Sequence, residues 1–376
     1  MIALLALVPV AVWLYLLAGR GMFWMMAERD DADDPPPPSA WPSVVAVVPA
    51  RNEADVIARS IGSLLAQDYP GSFRIVLVDD QSGDGTGDAA RRLDATGRLD
   101  VLAGSPRPQG WAGKVWAMKQ GVERAGAPDY IWFTDADIEH AEENLRKLVA
   151  RAEAGGRVLT SLMVKLHCKS WAEAYLIPAF VFFFDMLYPF AYVNDPKRKI
   201  AAAAGGCMLA RRDALERAGG IAAIKSEIID DCALGRAMKA QGPIWLGLTE
   251  RASSIRPYAG LPEIRRMVAR SAYAQLGYSP LNLLGAFAGM LIVYASAPAL
   301  AVFARDSAQA SGILAWAAMM LSFQPIAKFY RVSPLWGLAL PLIGFVYALF
   351  TLDSAVQHWR GRGGMWKGRA QAMGRT

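Results

Sequence analysis

Two carboxylates stand two positions apart at the end of Tyr130-Ile131-Trp132-Phe133-Thr134-Asp135-Ala136-Asp137. The residues before them form a short, continuous apolar run, the pattern of a buried strand. Asp135 and Asp137 then emerge together at the carboxyl end of that strand, where open α/β sheets bind their ligands. Carboxylates so placed repel one another unless a positive charge lies between them. A hard divalent cation carrying substrate phosphates meets that need. The same residues also suit a strand followed by an Asp-capped helix.

Three further acidic groups punctuate the chain: Glu53, the pair Asp79 and Asp80, and the pair Asp230 and Asp231. The first two follow apolar, β-branched runs. Residues 43–48 and 74–78 read as buried strands, each leading through a polar loop into a helical pattern. A third unit follows at 99–102, and 130–134 is the fourth strand. Strands alternating with helices predict an α/β domain with a parallel sheet covered on both faces, over residues 43–275.

The remainder of the chain is apolar. Hydrophobic residues make up 54% of the 376 positions, so a mixed soluble and membrane protein is expected. Residues 1–19 carry no charge and just reach the length of a spanning anchor. They lack the basic start and small-residue cleavage site of a signal peptide. Residues 20–42 hold an acidic cluster and Pro35 to Pro38, and read as a stiff polyproline spacer. Residues 171–193 are aromatic and apolar but interrupted by Asp185 and two prolines, which predicts a helix lying in the membrane interface. In the membrane region at 276–356, Leu281–Ala304, Gly312–Ala327 and Leu335–Leu352 are three more apolar runs.

Of the net charge of +6, about +5 lies in the basic tail at 357–376, which carries Arg360, Arg362, Lys367, Arg369 and Arg375. That placement fits anionic lipid and speaks against nucleic acid as a partner. Three full crossings after a cytosolic domain would put this tail outside, against the positive-inside tendency. One run is therefore expected to be re-entrant or interfacial, and Gly312–Ala327 is the shortest. Cys168, Cys207 and Cys232 show no disulfide or metal spacing, and His140, His167 and His358 give no zinc pattern.

The ordered acidic motifs carry a resemblance. Val48-Pro49-Ala50-Arg51-Asn52-Glu53, Val78-Asp79-Asp80-Gln81-Ser82-Gly83-Asp84-Gly85-Thr86, Thr134-Asp135-Ala136-Asp137 and Asp230-Asp231 before Leu234-Gly235 resemble the signature of family 2 glycosyltransferases. That family's fold is GT-A, a Rossmann-like α/β domain, and its members are inverting, nucleotide-sugar-dependent enzymes. Within it, the chain resembles the hopene-associated glycosyltransferases of bacterial membranes, and more distantly the ceramide glucosyltransferases. Gly110-Trp111-Ala112-Gly113-Lys114-Val115-Trp116-Ala117 and the C-terminal apolar runs support that match.

The resemblance implies roles. Pro49, Ala50, Arg51 and Glu53, with Asp79 and Asp80, would hold the nucleoside of a UDP-sugar. Asp135 and Asp137 would hold the cation against the diphosphate, with Lys114 as a second positive charge; a solvated loop lysine is the plainer reading of Lys114. Asp231 would be the general base and Asp230 its neighbour at a helix start. Gly205 and Gly206 would lie on the acceptor side. The Gln-x-x-Arg-Trp motif of many membrane members is reduced here to Arg270, with Arg266 one turn before it, and both are expected to face the diphosphate. The loss of that motif argues against processive polymer synthesis. The expected activity is transfer of one sugar from a nucleotide-sugar donor to a membrane lipid hydroxyl at the cytosolic face of a bacterial inner membrane. The acceptor alternatives are a hopanoid and a polyprenyl phosphate. A non-catalytic scaffold that kept the fold is the alternative of another class.

Overall fold

The structure is a computed structural model that describes residues 6–366, 369 and 370. Of the basic tail, Lys367 and Arg375 lie outside the described residues, as do residues 1–5 of the expected anchor. The chain divides into two units. A helical unit comprises Met1–Ala27, Cys168–Ala191 and Tyr258–Gly363; a sheet unit comprises Glu28–His167, Tyr192–Pro257 and Gly364–Thr376.

The sheet unit is built on β1 (Val44–Ala50), β2 (Phe73–Asp79), β3 (Leu99–Ala103), β4 (Tyr130–Thr134), β5 (Ile138–His140), β6 (Leu159–Lys165), β7 (Cys207–Arg211) and β8 (Ile244–Ser254). They form one sheet in the order β3-β2-β1-β4-β7-β6-β8-β5. The four strands read from the sequence are present. β1 pairs parallel with both β2 and β4, and β2 pairs parallel with β3. The sheet is mixed rather than wholly parallel: β7 runs antiparallel to β4 and β6, and β5 antiparallel to β8. Burial explains why the first strands were legible. Every residue of β1 and β4 is buried, so both read as unbroken apolar runs.

The strand order turns at β1, which has β2 on one side and β4 on the other. The β1–β4 pairing ends at Val47 opposite Phe133, two residues before Pro49, which has no N–H to extend the ladder. The tips of β1 and β4 are thereby released from each other at a switch point, where α/β sheets bind ligands. The helix Gly113–Ala125 lies tightly on this region: a Cβ at Gly121 would stand 2.4 Å from Val47 Cγ1 and 3.1 Å from Val78 Cγ2.

The acidic stretch before Pro35 is bound to the sheet unit. Arg29 bridges to Leu248 of β8, and Glu28 O accepts from Leu248 N at 2.8 Å. Asp30 is buried, accepting from Thr249 Oγ1 at 2.6 Å and pairing with Arg251 at 2.9 Å.

In the helical unit, three helices are long and apolar enough to cross a membrane: Pro280–Phe303, Asp306–Tyr330 and Pro334–Trp359. Val8–Gly19 is a shorter apolar helix. The segment expected in the membrane interface forms the helix Trp171–Leu187, ten of whose seventeen residues are buried. Large exposed apolar side chains remain at its two ends, Trp171 and Leu187.

Close approach of helix and sheet at Gly121 has a direct consequence. Gly121→Val should destabilise the sheet unit by about 1–3 kcal/mol through overpacking against Val47 and Val78. A thermal melt of the detergent-purified protein with no drop in midpoint would refute this packing.

Candidate active site

The loops after β1 and β2 are stitched together before any ligand is considered. Asp80 N donates to Ala50 O at 2.8 Å, and the Arg51 guanidinium donates to Asp80 O and, at 3.0 Å, to Gln81 O. Asn52 N donates to Ser82 Oγ at 3.0 Å, Glu53 N to Thr86 Oγ1 at 2.8 Å, and Ala54 N to Asp84 Oδ2 at 3.0 Å. Asn52 and Gln81 both adopt positive φ, 52° and 55°, which turns each loop sharply at the strand's end. Asp79 Oδ1 accepts from Ser82 N at 3.0 Å and so serves the turn, while the Asp80 side chain is fully buried. Pro49, Ala50, Arg51, Glu53, Asp79 and Asp80 thus form one wall.

The opposite wall rises from β4. Thr134 Oγ1 donates to Gly206 O at 2.9 Å, which ties the β4 tip to the turn that enters β7. His140 lies behind it, with Nε2 2.8 Å from Thr134 Oγ1 and Nδ1 3.0 Å from Asn144 Nδ2. Because Thr134 donates its proton to Gly206, the His140 Nε2–H must donate to Thr134, leaving Nδ1 to accept from Asn144. Burial lowers the His140 pKa to about 3, so the ring is a neutral structural bridge.

Lys114 joins the acidic motifs. It occupies the first turn of the helix Gly113–Ala125, and its Nζ lies 2.8 Å from Asp135 Oδ1 and 3.3 Å from Asp230 Oδ2. Burial works to lower the Lys114 pKa, but Asp135 and Asp230, with Asp231 behind them, outweigh it, and the ammonium is held charged. A solvated loop lysine is excluded by this geometry.

Asp230 and Asp231 occupy the first turn of the helix Asp230–Lys239, where the helix N-terminus favours negative charge. Asp230 lies one place inside the helix start: Ile229 holds the cap position and no side chain caps it. Asp231 instead accepts from the N–H of Cys232 at 2.7 Å and from that of Gly205 at 3.0 Å. A Cβ at Gly205 would lie 3.2 Å from Lys114 Nζ and 3.4 Å from Asp231 Oδ2, so the backbone approaches both only because no side chain intervenes. Burial first, then the charge of Asp230, raise the Asp231 pKa to about 6, against Lys114 and the two backbone donors.

Sequence reasoning missed Arg256, two residues past β8. Its guanidinium pairs with the buried Glu53, lies 3.3 Å from Asp55, and brings Nε within 3.5 Å of Asp137 Oδ2. Arg256 thereby links the β1 loop to the second carboxylate of the Asp135/Asp137 pair. No local motif marks it, because its partners lie more than a hundred residues away. Arg266 and Arg270 belong to the helical unit, both exposed, with Arg266 3.4 Å from Glu263.

A Rossmann-like mixed sheet with paired aspartates at its switch point and a further carboxylate pair at a facing helix start defines a GT-A domain. Residues 31–219 match the model of glycosyl transferase family 2, and the chain belongs to that family. An N-acetylglucosaminyltransferase of Mesorhizobium japonicum is 26% identical over 196 residues, 48% of this chain and 42% of that protein. The succinoglycan biosynthesis protein ExoO of Rhizobium meliloti is 34% identical over 124 residues, 33% of each chain. The chain therefore spans less than half the length of these curated relatives. Among solved structures, the mannosyltransferase PcManGT from Pyrobaculum calidifontis, in complex with GDP-Man and Mn2+, has the same fold. Its TM-score is 0.58 at 19% identity, over 98% of this chain and 100% of that one.

The Arg256 contacts generate a test without substrate. Arg256→Gln should raise amide hydrogen exchange across residues 52–56 roughly tenfold or more, since local opening follows the loss of such contacts. Protection around Gly205 and Cys232 should be unchanged. Unaltered exchange at 52–56 would show that Arg256 does not hold the loop.

Proposed function

We propose that this protein is an inverting glycosyltransferase that moves a single sugar from a UDP-sugar to the hydroxyl of a membrane lipid. The observation that carries the reading is the convergence on Lys114 of Asp135 from one side and Asp230 with Asp231 from the other. Donor diphosphate chemistry and acceptor deprotonation need these charges in one place.

In this reading the wall of Pro49, Ala50, Arg51, Glu53, Asp79 and Asp80 receives the uracil and ribose. Carboxylates suit it, because the uracil imide N–H and ribose hydroxyls are donors. Asp135 and Asp137 would hold Mg2+ or Mn2+. Among the described residues, no group of three or more acidic, histidine or cysteine side chains forms a ready-made cation cage. Two carboxylates fit a divalent ion that completes its shell with substrate phosphates and water. When bound, such an ion offsets charge on the departing nucleoside diphosphate. Lys114 adds a fixed positive charge beside it.

Asp231 would take the proton of the acceptor hydroxyl as its oxygen attacks the anomeric carbon. The bond from that carbon to the diphosphate oxygen breaks, and the configuration inverts. A carboxylate raised to about 6 is a stronger base than an ordinary aspartate yet remains ionised at neutral pH. Gly205 and Gly206 would let the acceptor approach it. The three long apolar helices fit a lipid acceptor and an inner-membrane location with the sheet unit in the cytosol. The resemblance to hopene-associated enzymes makes a hopanoid the proposed lipid.

The pH dependence follows. Asp231 acts as its carboxylate, so kcat/KM should rise with pH, reach half its plateau near 6, and stay level above. Lys114 lowers the Asp231 pKa, so in Lys114→Met the residual activity should reach half-plateau at a higher pH. A rate independent of pH between 5 and 8 (an interval of about three units around the base) would remove Asp231 from this role.

Asp231→Asn should cut turnover by roughly 10²–10⁴-fold with donor binding retained. Substantial residual activity would instead favour a polyprenyl phosphate acceptor, which needs no base. Asp137→Ala should abolish cation-dependent donor binding in calorimetry, with UDP- and GDP-sugars compared. Wild-type protein that binds neither would favour the scaffold reading. Mass spectrometry of lipids from cells with and without the gene would name sugar and acceptor together.

A further inference from the structure

The helical unit carries information on its own orientation. Leu283, near the start of Pro280–Phe303, is buried in one cluster with Ala355, near the end of Pro334–Trp359. Eleven residues on from Leu283 and eleven back from Ala355, a Cβ at Gly344 would stand 2.7 Å from Tyr294 Cγ. The two helices therefore run antiparallel in constant register. Beyond their ends the register continues: the Tyr278 ring stacks on His358 at 4.4 Å and 24°. Residue 279 and residue 360 thus lie at the same end of the pair.

At that end the side chains change character. Tyr273 meets the rings of both His358 and Trp359, at 5.4 Å and 5.8 Å. Trp359 is 59% exposed and Tyr278 37%, and Arg360 and Arg362 follow, both exposed. Exposed aromatic rings with adjoining arginines suit the headgroup layer of an anionic leaflet. A 24-residue helix is about 36 Å long, enough to cross a hydrocarbon core of about 30 Å completely. Having crossed once by Phe303, the chain must make one net return to reach Trp359. Asp306–Tyr330 and Pro334–Trp359 therefore cannot both be full crossings. The 3-10 segment Pro334–Ala339 is fastened along the preceding helix, Trp316 Nε1 donating to Leu338 O at 3.1 Å and Gln324 Nε2 to Pro334 O at 3.2 Å.

We propose that Tyr278, Trp359, Arg360 and Arg362 form a collar bound to anionic lipid headgroups of one leaflet, and that the chain enters at residue 280 and leaves at residue 359 on that same face. Pro334–Trp359 is then the return crossing and Asp306–Tyr330 makes no net crossing, and the arginine-bearing face is the cytosolic one under the positive-inside tendency. This rests on the membrane reading above, and alkaline carbonate separates the two: extraction of the full chain from membranes would sink the membrane reading itself.

With the chain retained, single cysteines at Ser279, Ala304, Ser333 and Arg362 are labelled with a membrane-impermeant maleimide in spheroplasts and in inverted vesicles. The parent carries Cys168→Ser; Cys207 and Cys232 are buried. Residues 279 and 362 should label only in inverted vesicles, and 304 and 333 only in spheroplasts. Labelling of 362 from the face opposite 279, or of 333 from the same face as 279, would overturn the assignment. The lipid contact is read in nanodiscs of phosphatidylcholine with spin-labelled phosphatidylglycerol or phosphatidylcholine as probe. The wild type should retain the anionic probe about tenfold better, and Arg360→Gln with Arg362→Gln should abolish that preference while leaving turnover in detergent unchanged. Equal retention of both probes by the wild type would refute the collar.

Discussion

The site depends on one electrostatic constraint: carboxylates from separate parts of the chain must share a small volume without driving it apart. Asp135, Asp230 and Asp231 meet around a single ammonium, and Glu53, Asp55 and Asp137 around a single guanidinium. Like charges a few ångströms apart in a partly buried site repel strongly, and the fold tolerates them because each group has its own fixed cation. Lys114 does two things at once. It permits Asp135 and Asp230 to stay close, and it limits how far Asp231 is raised. A base near 6 is the balance of burial and Asp230 against Lys114 and two backbone donors, so no one of these sets it alone.

The sheet supplies the geometry that this balance needs. Parallel pairing of β1 with both β2 and β4 aims three strand tips in one direction, and the end of the β1–β4 ladder opens the space between two of them. The antiparallel β7 then delivers Gly205 and Gly206 to the same edge from the opposite chain direction. A purely parallel sheet would bring the start of β7 to the far edge, away from Asp231. The mixed topology is therefore a requirement of the site.

What could be read from the sequence was local. β1, β2 and β4 were legible because burial leaves unbroken apolar runs, and the acidic groups at 53, 79–80 and 135–137 because they follow those runs; β3 is a half-buried edge strand interrupted by Asp100. Arg256 was not, since its role comes from where β8 ends relative to the β1 and β4 loops. Asp30 was hidden for a similar reason. Inside an acidic cluster it reads as solvated spacer, yet Thr249 and Arg251 hold it buried against β8. Nor does a sequence distinguish parallel from antiparallel pairing for β7, a short apolar strand like the others.

The helix Trp171–Leu187 shows what tertiary contacts add to a reading made on composition. Its Pro178 and Asp185 argue against a spanning helix, and its aromatic residues suggest an interfacial one. In the structure the polar groups serve the ends. The fully buried Glu173 accepts from the N–H groups of Lys169, Ser170 and Tyr258, and Asp185 accepts from that of Phe190. Arg20 donates to the carbonyls of Met186 and Leu187, as a cation at a helix C-terminus should. The charges that break the apolar pattern thus satisfy backbone groups that no other helix residue can reach. With its ends satisfied in this way, the middle of the helix is free to be wholly apolar, and Leu176, Ile177, Val181 and Phe182 are fully buried. In this helix the charged residues inside the apolar run thus mark where it starts and stops.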